Sequence, residues 1–210
     1  MALTLYVGNK RYSSWSLRPY LALAHAGVDF TTETIELDRS DTKARITAVN
    51  PAGKLPVLHD GALVVAESLA ICEYAAEICP AAGLWPDGRA ERARARAIAT
   101  EMHAGFAALR REMPMDLGVK KPDVGRAQES LADIARVVEI WSTQLAASGG
   151  PFLFGTFTIA DAMFAPVTTR FTTYGVELDA VSRRYVDAVA ALPAMQAWRR
   201  DAANEPPSRT

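Results

Sequence analysis

The stretch KLPVLHDGALVVAES, from Lys54 to Ser68, predicts the most definite local structure in this chain of 210 residues. PVLH and ALVV are typical of two short strands, and Asp60-Gly61 between them is a strong hairpin signal because a tight turn needs positive φ angles. Pro56 opens the first strand, and a proline fits a strand start or a sheet edge. The helical stretch LAICEYAAEI follows at once. The segment therefore predicts strand, strand and helix.

Upstream of this segment, the pattern predicts a strand, a helix and a second strand. Residues 3–7, LTLYV, form a short apolar run that a Gly-Asn pair ends. From Leu17 onward, apolar residues recur at helical spacing up to a C-cap at Gly27. Residues 31–37, TTETIEL, are rich in β-formers, and residues 42–50 predict a short helix or an irregular turn. A helix between consecutive strands makes a βαβ unit, so these two strands should be parallel.

The second half of the chain has a helical pattern. Residues 79–88, CPAAGLWPDG, combine prolines and glycines without periodicity, which is typical of a linker. The helices predicted beyond it are Arg89–Glu112, Asp123–Ala147, Ile159–Tyr174, Ser182–Ala191 and Pro193–Ala202. No strand pattern stands out there. The sequence therefore predicts an α/β domain at residues 1–80 and an all-α domain at residues 88–210.

Composition and charge exclude several classes of function. Half of the residues are hydrophobic and the formal net charge is -1, so we expect a globular protein without a basic face for nucleic acid. No apolar run approaches the roughly 20 residues of a membrane span, and the N-terminus lacks a secretory pattern. Cys72 and Cys79 should lie about 10 Å apart on one helix, beyond disulfide reach. We expect a cytoplasmic protein without a metal, since the three histidines lack ligand spacing.

The motif SSWS, residues 13–16, places three hydroxyls at the predicted start of the first helix. One serine is enough for an N-cap, and Pro19 requires that the helix begins within about one turn before it. A helix N-terminus favours an anion, and this one follows the carboxyl end of a strand, where ligands of open α/β sheets bind. A plain cap and an anion site with hydroxyl donors both remain open. A serine nucleophile is excluded, because there is no G-x-S-x-G pattern and no nearby histidine.

Three other stretches have structural explanations. TIAD at residues 158–161 has the capping-box pattern, which predicts a folding determinant. Glu67 or Ser68 caps the helix after the hairpin, or adds a second anion-binding helix end. Met102 and Phe106 share an apolar face that is typical of a core, although part of such a face can line a pocket between domains.

Four stretches in this order resemble the glutathione transferase family: the serine motif, NPAGKLPVL, ESLAI and FGTFTIADAMFAP. Each is weak alone, but their combination and spacing are specific and span nearly the whole chain. The resemblance implies the glutathione transferase fold, with a thioredoxin-like glutathione-binding domain followed by an all-helical domain that holds an electrophile pocket. YSSWSLRPYLAL is most similar to the serine-type zeta class, which includes maleylacetoacetate isomerases. Trp15 replaces the zeta cysteine, and a bacterial branch with S-S-W-S is more similar still.

The resemblance also implies a role for each position of the site. Ser13 would donate a hydrogen bond to the glutathione sulfur, with Ser14 as the second hydroxyl beside it. Leu55 would present its backbone to the cysteinyl part of glutathione, held by a cis bond to Pro56. The remaining implied glutathione contacts are Trp15, Lys54 at the glycyl carboxylate, Glu67 at the γ-glutamyl amine and Ser68 at the γ-glutamyl carboxylate. Candidates for the electrophile pocket are Trp15, Met102, Phe106, Met113 and Phe171.

The implied chemistry is activation of a substrate thiol. A free thiol has a pKa of about 8.5, and a hydroxyl donor at a helix N-terminus lowers that pKa. We therefore expect a homodimeric glutathione transferase that attacks an apolar electrophile in detoxification, with glutathione as co-substrate. The alternatives are a glutathione-dependent isomerase of the maleylacetoacetate type and a non-catalytic transferase-like binding module. A thiol reductase would need a cysteine at the helix start, and the presence of Ser13, Pro56, Glu67 and Ser68 argues against the binding module.

Overall fold

The hairpin segment lies at one edge of a four-stranded sheet in the computed structural model, which describes residues 3–205. The strands are β1 (Leu3–Val7), β2 (Phe30–Thr34), β3 (Val57–Asp60) and β4 (Leu63–Ala66). Their order across the sheet is β2-β1-β3-β4. Strand β1 runs parallel to β2 and antiparallel to β3, which pairs antiparallel with β4. The predicted hairpin and the predicted parallel pair are both confirmed.

Three helices alternate with or follow these strands: α1 (Ser14–His25), α2 (Thr42–Val49) and α3 (Ser68–Ile78). The element order β1-α1-β2-α2-β3-β4-α3 is the predicted one, but β2 ends earlier than predicted. The Ile35 N–H donates the last bond of this strand pair to the Val7 carbonyl, at 2.8 Å. Because β1 ends at Val7, the chain beyond Ile35 has no strand to pair with.

The core of the N-terminal half lies between the sheet and one face each of α1 and α3. Leu5 of β1, Leu58 of β3, Leu21 of α1 and Ile71 of α3 are all buried in it. Burial of each such side chain contributes roughly 1.5–3 kcal/mol relative to exposure. The buried face of α1 therefore fixes where the N-terminus of that helix lies.

The second half of the described chain is helical apart from isolated β-bridges within residues 152–156. Its helices are α4 (Arg89–Ala104), α5 (Ala107–Glu112), α6 (Gln128–Ser148), α7 (Ile159–Thr173), α8 (Ala180–Ala191) and α9 (Pro193–Ala203). Almost every residue of α7 is buried, and α7 packs against α1, which joins the two halves. None of the helices within residues 3–205 is long and apolar enough to cross a membrane.

This architecture confirms the predicted fold class, an α/β thioredoxin-like N-terminal domain plus an all-α C-terminal domain. The domain limits at residues 1–80 and 88–210 stay predictions. Their outer ends, residues 1 and 210, lie outside the part of the chain that the structure describes. The predicted linker contains a short 3-10 turn, Pro80–Ala82.

The predicted helix Arg89–Glu112 was wrong as a single helix, because it is broken at residues 105 and 106. Gly105 is extended, and a Cβ there would lie 2.9 Å from the Glu101 carbonyl oxygen. Phe106 follows with a φ of 60°, which starts α5 in a new direction. A single glycine is tolerated inside many helices, so periodicity alone did not indicate the break.

The helix predicted from Asp123 begins instead at Gln128. Asp123 has a φ of 63° and Gly125 a φ of 76°, so neither can belong to a right-handed helix. A Cβ at Gly125 would also lie 2.9 Å from the Glu112 carbonyl oxygen. The close approach of α5 thus requires glycine at this position and delays the start of α6.

The start of α7 contains the predicted capping box. The Thr158 N–H and hydroxyl both donate to the Asp161 carboxylate, at 2.8 and 3.0 Å. The Leu153 N–H donates to the other carboxylate oxygen, at 3.0 Å. All three residues are buried, where an unpaired donor would be costly. Asp161 therefore holds the preceding loop as well as the helix end.

Thr158→Ala is expected to lower the free energy of unfolding by about 1–2 kcal/mol, because it removes the N-cap side chain and a buried hydrogen bond. Thr158→Ser keeps the hydroxyl and should retain most of that stability. Urea unfolding followed by circular dichroism measures both variants. Equal losses for the two would contradict a capping role for the hydroxyl.

Candidate functional site

A tight turn after β1 presents the serine motif at the start of α1. The Asn9 carbonyl accepts hydrogen bonds from the N–H groups of Tyr12 and Ser13, at 3.0 and 2.8 Å. The Asn9 side-chain oxygen accepts from the Leu37 N–H at 2.7 Å. Asn9 thereby connects the turn to the chain that follows β2, and the turn places Ser13 at the N-cap of α1.

Residues of the helical half form hydrogen bonds and an ion pair with the same turn. The Glu205 carboxylate accepts from the backbone N–H groups of Lys10 and Arg11, at 2.7 and 3.0 Å. The Trp198 indole N–H donates to the Lys10 carbonyl at 2.8 Å, and Arg11 forms an ion pair with Asp116 at 2.7 Å. The position of the serine motif therefore depends on contacts with α9 and with the loop after α5.

Ser13 makes no capping bond, and its Oγ lies 2.7 Å from the Oγ of Ser16. The Gly8 N–H donates to Ser16 Oγ at 3.2 Å, and Ser16 is fully buried. A Cβ at position 8 would lie 3.2 Å from Ser13 Oγ, so glycine leaves room for the hydroxyl. Since Ser16 accepts from the backbone, it can donate its own hydrogen to Ser13, which leaves the Ser13 hydrogen available to a ligand.

Ser14 lies next to Ser13 but has a different partner. Its Oγ accepts a hydrogen bond from Arg170 Nη2 of α7, at 3.2 Å. Arg170 Nε donates to the Met113 carbonyl at 2.8 Å, so the guanidinium is held from two sides. Ser14 is buried, whereas Ser13 is partly exposed. The two hydroxyls therefore differ in both access and bonding.

Both serines line a cleft of about 950 Å³ between the two halves of the molecule. The structure brings most of the predicted glutathione contacts together in its wall. The predicted positions that line the cleft are Ser13, Ser14, Trp15, Lys54, Leu55, Pro56 and Glu67. Ser68, the next residue after Glu67, does not line the cleft. It is fully buried, and its hydroxyl has no hydrogen-bond partner among residues 3–205.

The loop before β3 supplies the second wall of the cleft. The Leu55-Pro56 peptide bond is cis, as predicted. The Asn50 side chain donates to the Lys54 carbonyl at 2.7 Å and accepts from the Ala52 N–H at 3.1 Å. No turn or loop hydrogen bond within residues 3–205 involves the backbone of Leu55. Its peptide groups are therefore available to an extended ligand in the cleft.

The residues predicted for the electrophile pocket lie in the core instead, except for Trp15. Met102, Phe106, Met113 and Phe171 are almost fully buried, and none of them lines the cleft. The break at residues 105 and 106 turns α5 relative to α4, so the predicted apolar face does not continue along one helix. The helical half lines the cleft with His103, Arg110, Pro114, Met115 and Arg170, which sequence reasoning missed.

Trp15 is the centre of a cluster of basic side chains. The guanidinium carbons of Arg18 and Arg110 lie 4.2 and 4.7 Å from the centre of its ring. The His103 ring meets the indole edge-to-face at a centroid distance of 5.3 Å. Cations over an indole face are attracted to its negative π-surface. The tryptophan thus holds two cations and an imidazole near the serine motif.

Two buried arginines of this region, Arg18 and Arg170, and the half-buried Arg110 form no ion pair within residues 3–205, although the Asp133 carboxylate acts on Arg110 from nearby. Each of the three has at least one buried guanidinium nitrogen without a hydrogen bond in that range. Burial, and then the charge of Arg110, lowers the pKa of Arg170 to about 9. Burial, and then the charges of Arg110 and Arg170, also lower the pKa of Arg18 well below its usual value. Uncompensated buried charge is costly, so the cluster favours an anion in the cleft.

Neither cysteine is placed for thiol chemistry in the cleft. Cys72 is fully buried, and burial raises the pKa of its thiol to about 12. Both cysteines are free, and neither lines the cleft. No group of histidine, cysteine and carboxylate side chains suited to a metal ion occurs in the described part of the chain.

Comparison with known proteins bears on both halves of the chain. Residues 12–78 match the family described as Glutathione S-transferase, N-terminal domain, and residues 90–201 match Glutathione S-transferase, C-terminal domain. A relative from Caenorhabditis elegans named "Probable maleylacetoacetate isomerase" is 29% identical over 197 residues, with 92% of this chain and 91% of the relative covered. "Glutathione S-transferase 4" of Zea mays is 28% identical over 213 residues, with 91% and 86% covered.

Solved structures share the fold. A glutathione transferase homologue from Burkholderia GL BGR1, crystallised with bound glutathione, aligns with a TM-score of 0.76 at 23% identity, over 98% of this chain and 100% of the other. A glutathione transferase from Methylococcus capsulatus strain Bath aligns with a TM-score of 0.71 at 25% identity, over 96% and 99%. Because the family matches extend over both halves, this chain is an enzyme of the glutathione S-transferase family.

Proposed function

We propose that this enzyme activates the thiol of glutathione with the Ser13 hydroxyl for attack on an apolar electrophile. The observation that carries the proposal is the position of Ser13, at the N-cap of α1 and in the wall of the cleft, with its Oγ 2.7 Å from Ser16 Oγ. When Ser16 is the donor of that bond, the Ser13 hydrogen points to the ligand. A serine hydroxyl and the N-terminus of a helix both stabilise a thiolate. The thiol pKa of bound glutathione should therefore fall, which raises the nucleophilic fraction at neutral pH.

Glutathione fits the polar groups along this wall. The orphaned hydroxyl of Ser68, at the first turn of α3, would donate to the γ-glutamyl carboxylate, and Glu67 would hold the adjacent amine. Leu55 would pair with the cysteinyl peptide groups through its backbone. Lys54 would neutralise the glycyl carboxylate. Each charged end of the tripeptide then meets an opposite charge or a donor.

The second substrate would occupy the part of the cleft that faces the helical half. Trp15, Pro114 and Met115 offer apolar surface there, beside the expected position of the sulfur. His103, Arg110 and Arg170 line the same part of the cleft, so the apolar surface is confined to the tryptophan, the proline and the methionine. We propose these three apolar residues as the contacts for an apolar electrophile, in place of the buried side chains Met102, Phe106, Met113 and Phe171. Detoxification, a homodimeric assembly and a cytoplasmic location remain proposals that follow from the family.

A second candidate function is glutathione-dependent isomerisation of the maleylacetoacetate type. The specific observation in its favour is the pair Arg110 and Arg170, which line the cleft, form no ion pair within residues 3–205 and would bind carboxylate groups of a substrate. The name of the Caenorhabditis elegans relative points in the same direction. Assays of maleylacetoacetate turnover and of halonitrobenzene conjugation separate the two candidates.

Titration calorimetry with glutathione tests the proposal against the alternative of a non-catalytic binding module. We expect glutathione to bind with a dissociation constant below the millimolar range and S-methylglutathione to bind more weakly, since it cannot form a thiolate. Conjugation of 1-chloro-2,4-dinitrobenzene, followed by absorbance, should accompany binding. Absence of glutathione binding at millimolar concentration would favour the binding module.

A further inference from the structure

We infer that His103 transfers protons in this cleft, taking the thiol proton of glutathione and giving it to the carbon next to the new carbon–sulfur bond. The reaction concerned is addition of glutathione to an activated double bond. The inference rests on the proposed function, because it needs glutathione at Ser13. It adds a catalytic residue that the serine mechanism does not contain.

His103 lies at the end of α4. The residue lines the same cleft as Ser13, and its ring packs edge-to-face on Trp15 at 5.3 Å. Trp15 follows Ser13 by two positions in the first turn of α1. The imidazole therefore borders the region in which a sulfur bound to Ser13 would meet its electrophile.

The imidazole of His103 makes no structural hydrogen bond in the described part of the chain. Within residues 3–205, neither ring nitrogen of His103 has a partner, and Nδ1 is buried. His59, by contrast, uses its Nε2 in a bond of 2.8 Å to the Val49 carbonyl. Nδ1 of His103 is enclosed, whereas Nε2 is not among the buried atoms without a partner, so we assign the proton transfer to Nε2. A histidine that only packed against Trp15 would not need an accessible nitrogen.

The charged groups around His103 suit a proton carrier. Arg18 of α1 and Arg110 of α5 face it, and Glu67 at the start of α3 is the acidic group in range. Burial and the two guanidinium groups lower the pKa of His103, and Glu67 opposes them. The imidazole is therefore neutral at neutral pH, with a nitrogen lone pair open to a proton, and it is a weaker base than free imidazole. Once protonated beside two cations, it is a stronger acid than a free imidazolium and gives the proton up readily.

The addition step balances without a further reactant. Nε2 of His103 takes the thiol proton, and the thiolate sulfur forms a bond to the β-carbon of an enone. The π-electron pair moves onto the α-carbon and the carbonyl as an enolate. His103 then returns the proton to the α-carbon. Substitution on a halonitrobenzene differs, because chloride leaves with the electron pair and the product needs no proton.

This difference gives the test, which compares an uncharged enone, trans-4-phenyl-3-buten-2-one, with 1-chloro-2,4-dinitrobenzene. We expect His103→Gln to lower kcat/KM for the enone by a factor at least about ten times larger than for 1-chloro-2,4-dinitrobenzene. This is in the range of general acid–base catalysis. Free imidazole should restore part of the enone activity of His103→Ala. His25→Gln is the matched control, because His25 packs on Phe157 and does not line the cleft.

The outcomes separate this inference from the proposed function. If the wild type conjugates both substrates and His103→Gln keeps their ratio, the inference is wrong and the proposed function stands. If the wild type conjugates 1-chloro-2,4-dinitrobenzene but not the enone, the inference is wrong and the proposed function again stands. A wild type without glutathione binding or conjugation contradicts both. A change in the ratio for His25→Gln equal to that for His103→Gln would point to a general structural effect and overturn the inference.

Discussion

Ser13→Ala is expected to lower kcat/KM for glutathione conjugation by about a hundredfold or more, and to raise the thiol pKa of bound glutathione. The physical reason is the loss of a hydrogen bond to a developing or full negative charge. Removing a single preorganised donor from such a site costs on the order of 10²–10³ in rate. The absorbance of bound thiolate at 240 nm, measured against pH, gives the thiol pKa directly.

Two neighbouring serines serve as matched comparisons for Ser13→Ala. Ser16→Ala removes the hydroxyl that lies 2.7 Å from Ser13 Oγ and should lower activity by about tenfold, since Ser13 then loses its orientation. Ser16→Ala also leaves the Gly8 N–H without its acceptor, so its urea unfolding must be compared with that of the wild type. In a variant that stays folded, the double substitution should lose little more activity than Ser13→Ala, because the hydroxyl of Ser16 orients Ser13. Ser14→Ala removes the acceptor of Arg170 Nη2 and should affect binding of the second substrate more than the thiol pKa.

The result that would contradict this assignment is an unchanged thiol pKa in Ser13→Ala. If Ser14→Ala raised the thiol pKa instead, Ser14 would be the donor and its bond to Arg170 would have to open. Unfolding by urea provides the control for folding. Ser13 makes no capping bond to the helix backbone, so Ser13→Ala should change the free energy of unfolding by well under about 1 kcal/mol.

Local rules were enough for some features of this enzyme and not for others. Asp60-Gly61 predicted the hairpin and TIAD at residues 158–161 predicted the capping box, because both depend on neighbours in the chain. The turn at Phe106 was missed, since its positive φ follows from how α5 packs rather than from its own sequence. Burial of the side chains predicted for the electrophile pocket, Trp15 apart, likewise depends on how the helices pack and is not visible in the local sequence.

The predicted glutathione contacts could be found from the local sequence, whereas the arginines of the cleft could not. Ser13, Leu55 and Glu67 lie close to identifiable signals: a helix start, a proline and a helix cap. Arg110 and Arg170 come from α5 and α7, and only the packed structure brings their guanidinium groups to the cleft beside Trp15. Nothing in the local sequence distinguishes these two arginines from the exposed ones of α4 and α6.

The arginine cluster leads to the second large expected effect, which tests the second candidate function: an isomerase-type enzyme should prefer electrophiles that carry a carboxylate. Nε and Nη2 of Arg110 donate to the carbonyls of Gly105 and Met102, and its Nη1 remains unpaired. Arg170 is held in a similar way and also keeps an unpaired Nη1. Because backbone and side-chain acceptors already fix both groups, a carboxylate in the cleft gains their charge without further ordering.

The test compares 4-chloro-3-nitrobenzoate with its methyl ester, which has the same reacting carbon and no charge. Each rate is divided by the uncatalysed rate, because the ester group activates the ring more than the carboxylate does. On the second candidate function the wild type should then prefer the carboxylate, and Arg110→Met should reduce that preference by roughly 10- to 100-fold, the equivalent of about 1.5–3 kcal/mol for a charge-assisted hydrogen bond. Arg170→Met should act in the same direction. Arg170→Lys keeps the positive charge. It should therefore retain part of the carboxylate preference, provided that Arg170→Met loses this preference for electrostatic reasons.

Arg136→Met is the control for removal of a positive charge. Arg136 is exposed, pairs with Glu101 and Glu139, and does not line the cleft, so its loss should leave the preference unchanged. If the wild type instead prefers the ester and Arg110→Met leaves that preference unchanged, the second substrate is apolar and the arginines serve another role. A preference for the carboxylate that Arg110→Met removes would favour the isomerase-type candidate, because maleylacetoacetate carries carboxylates that an apolar pocket would reject.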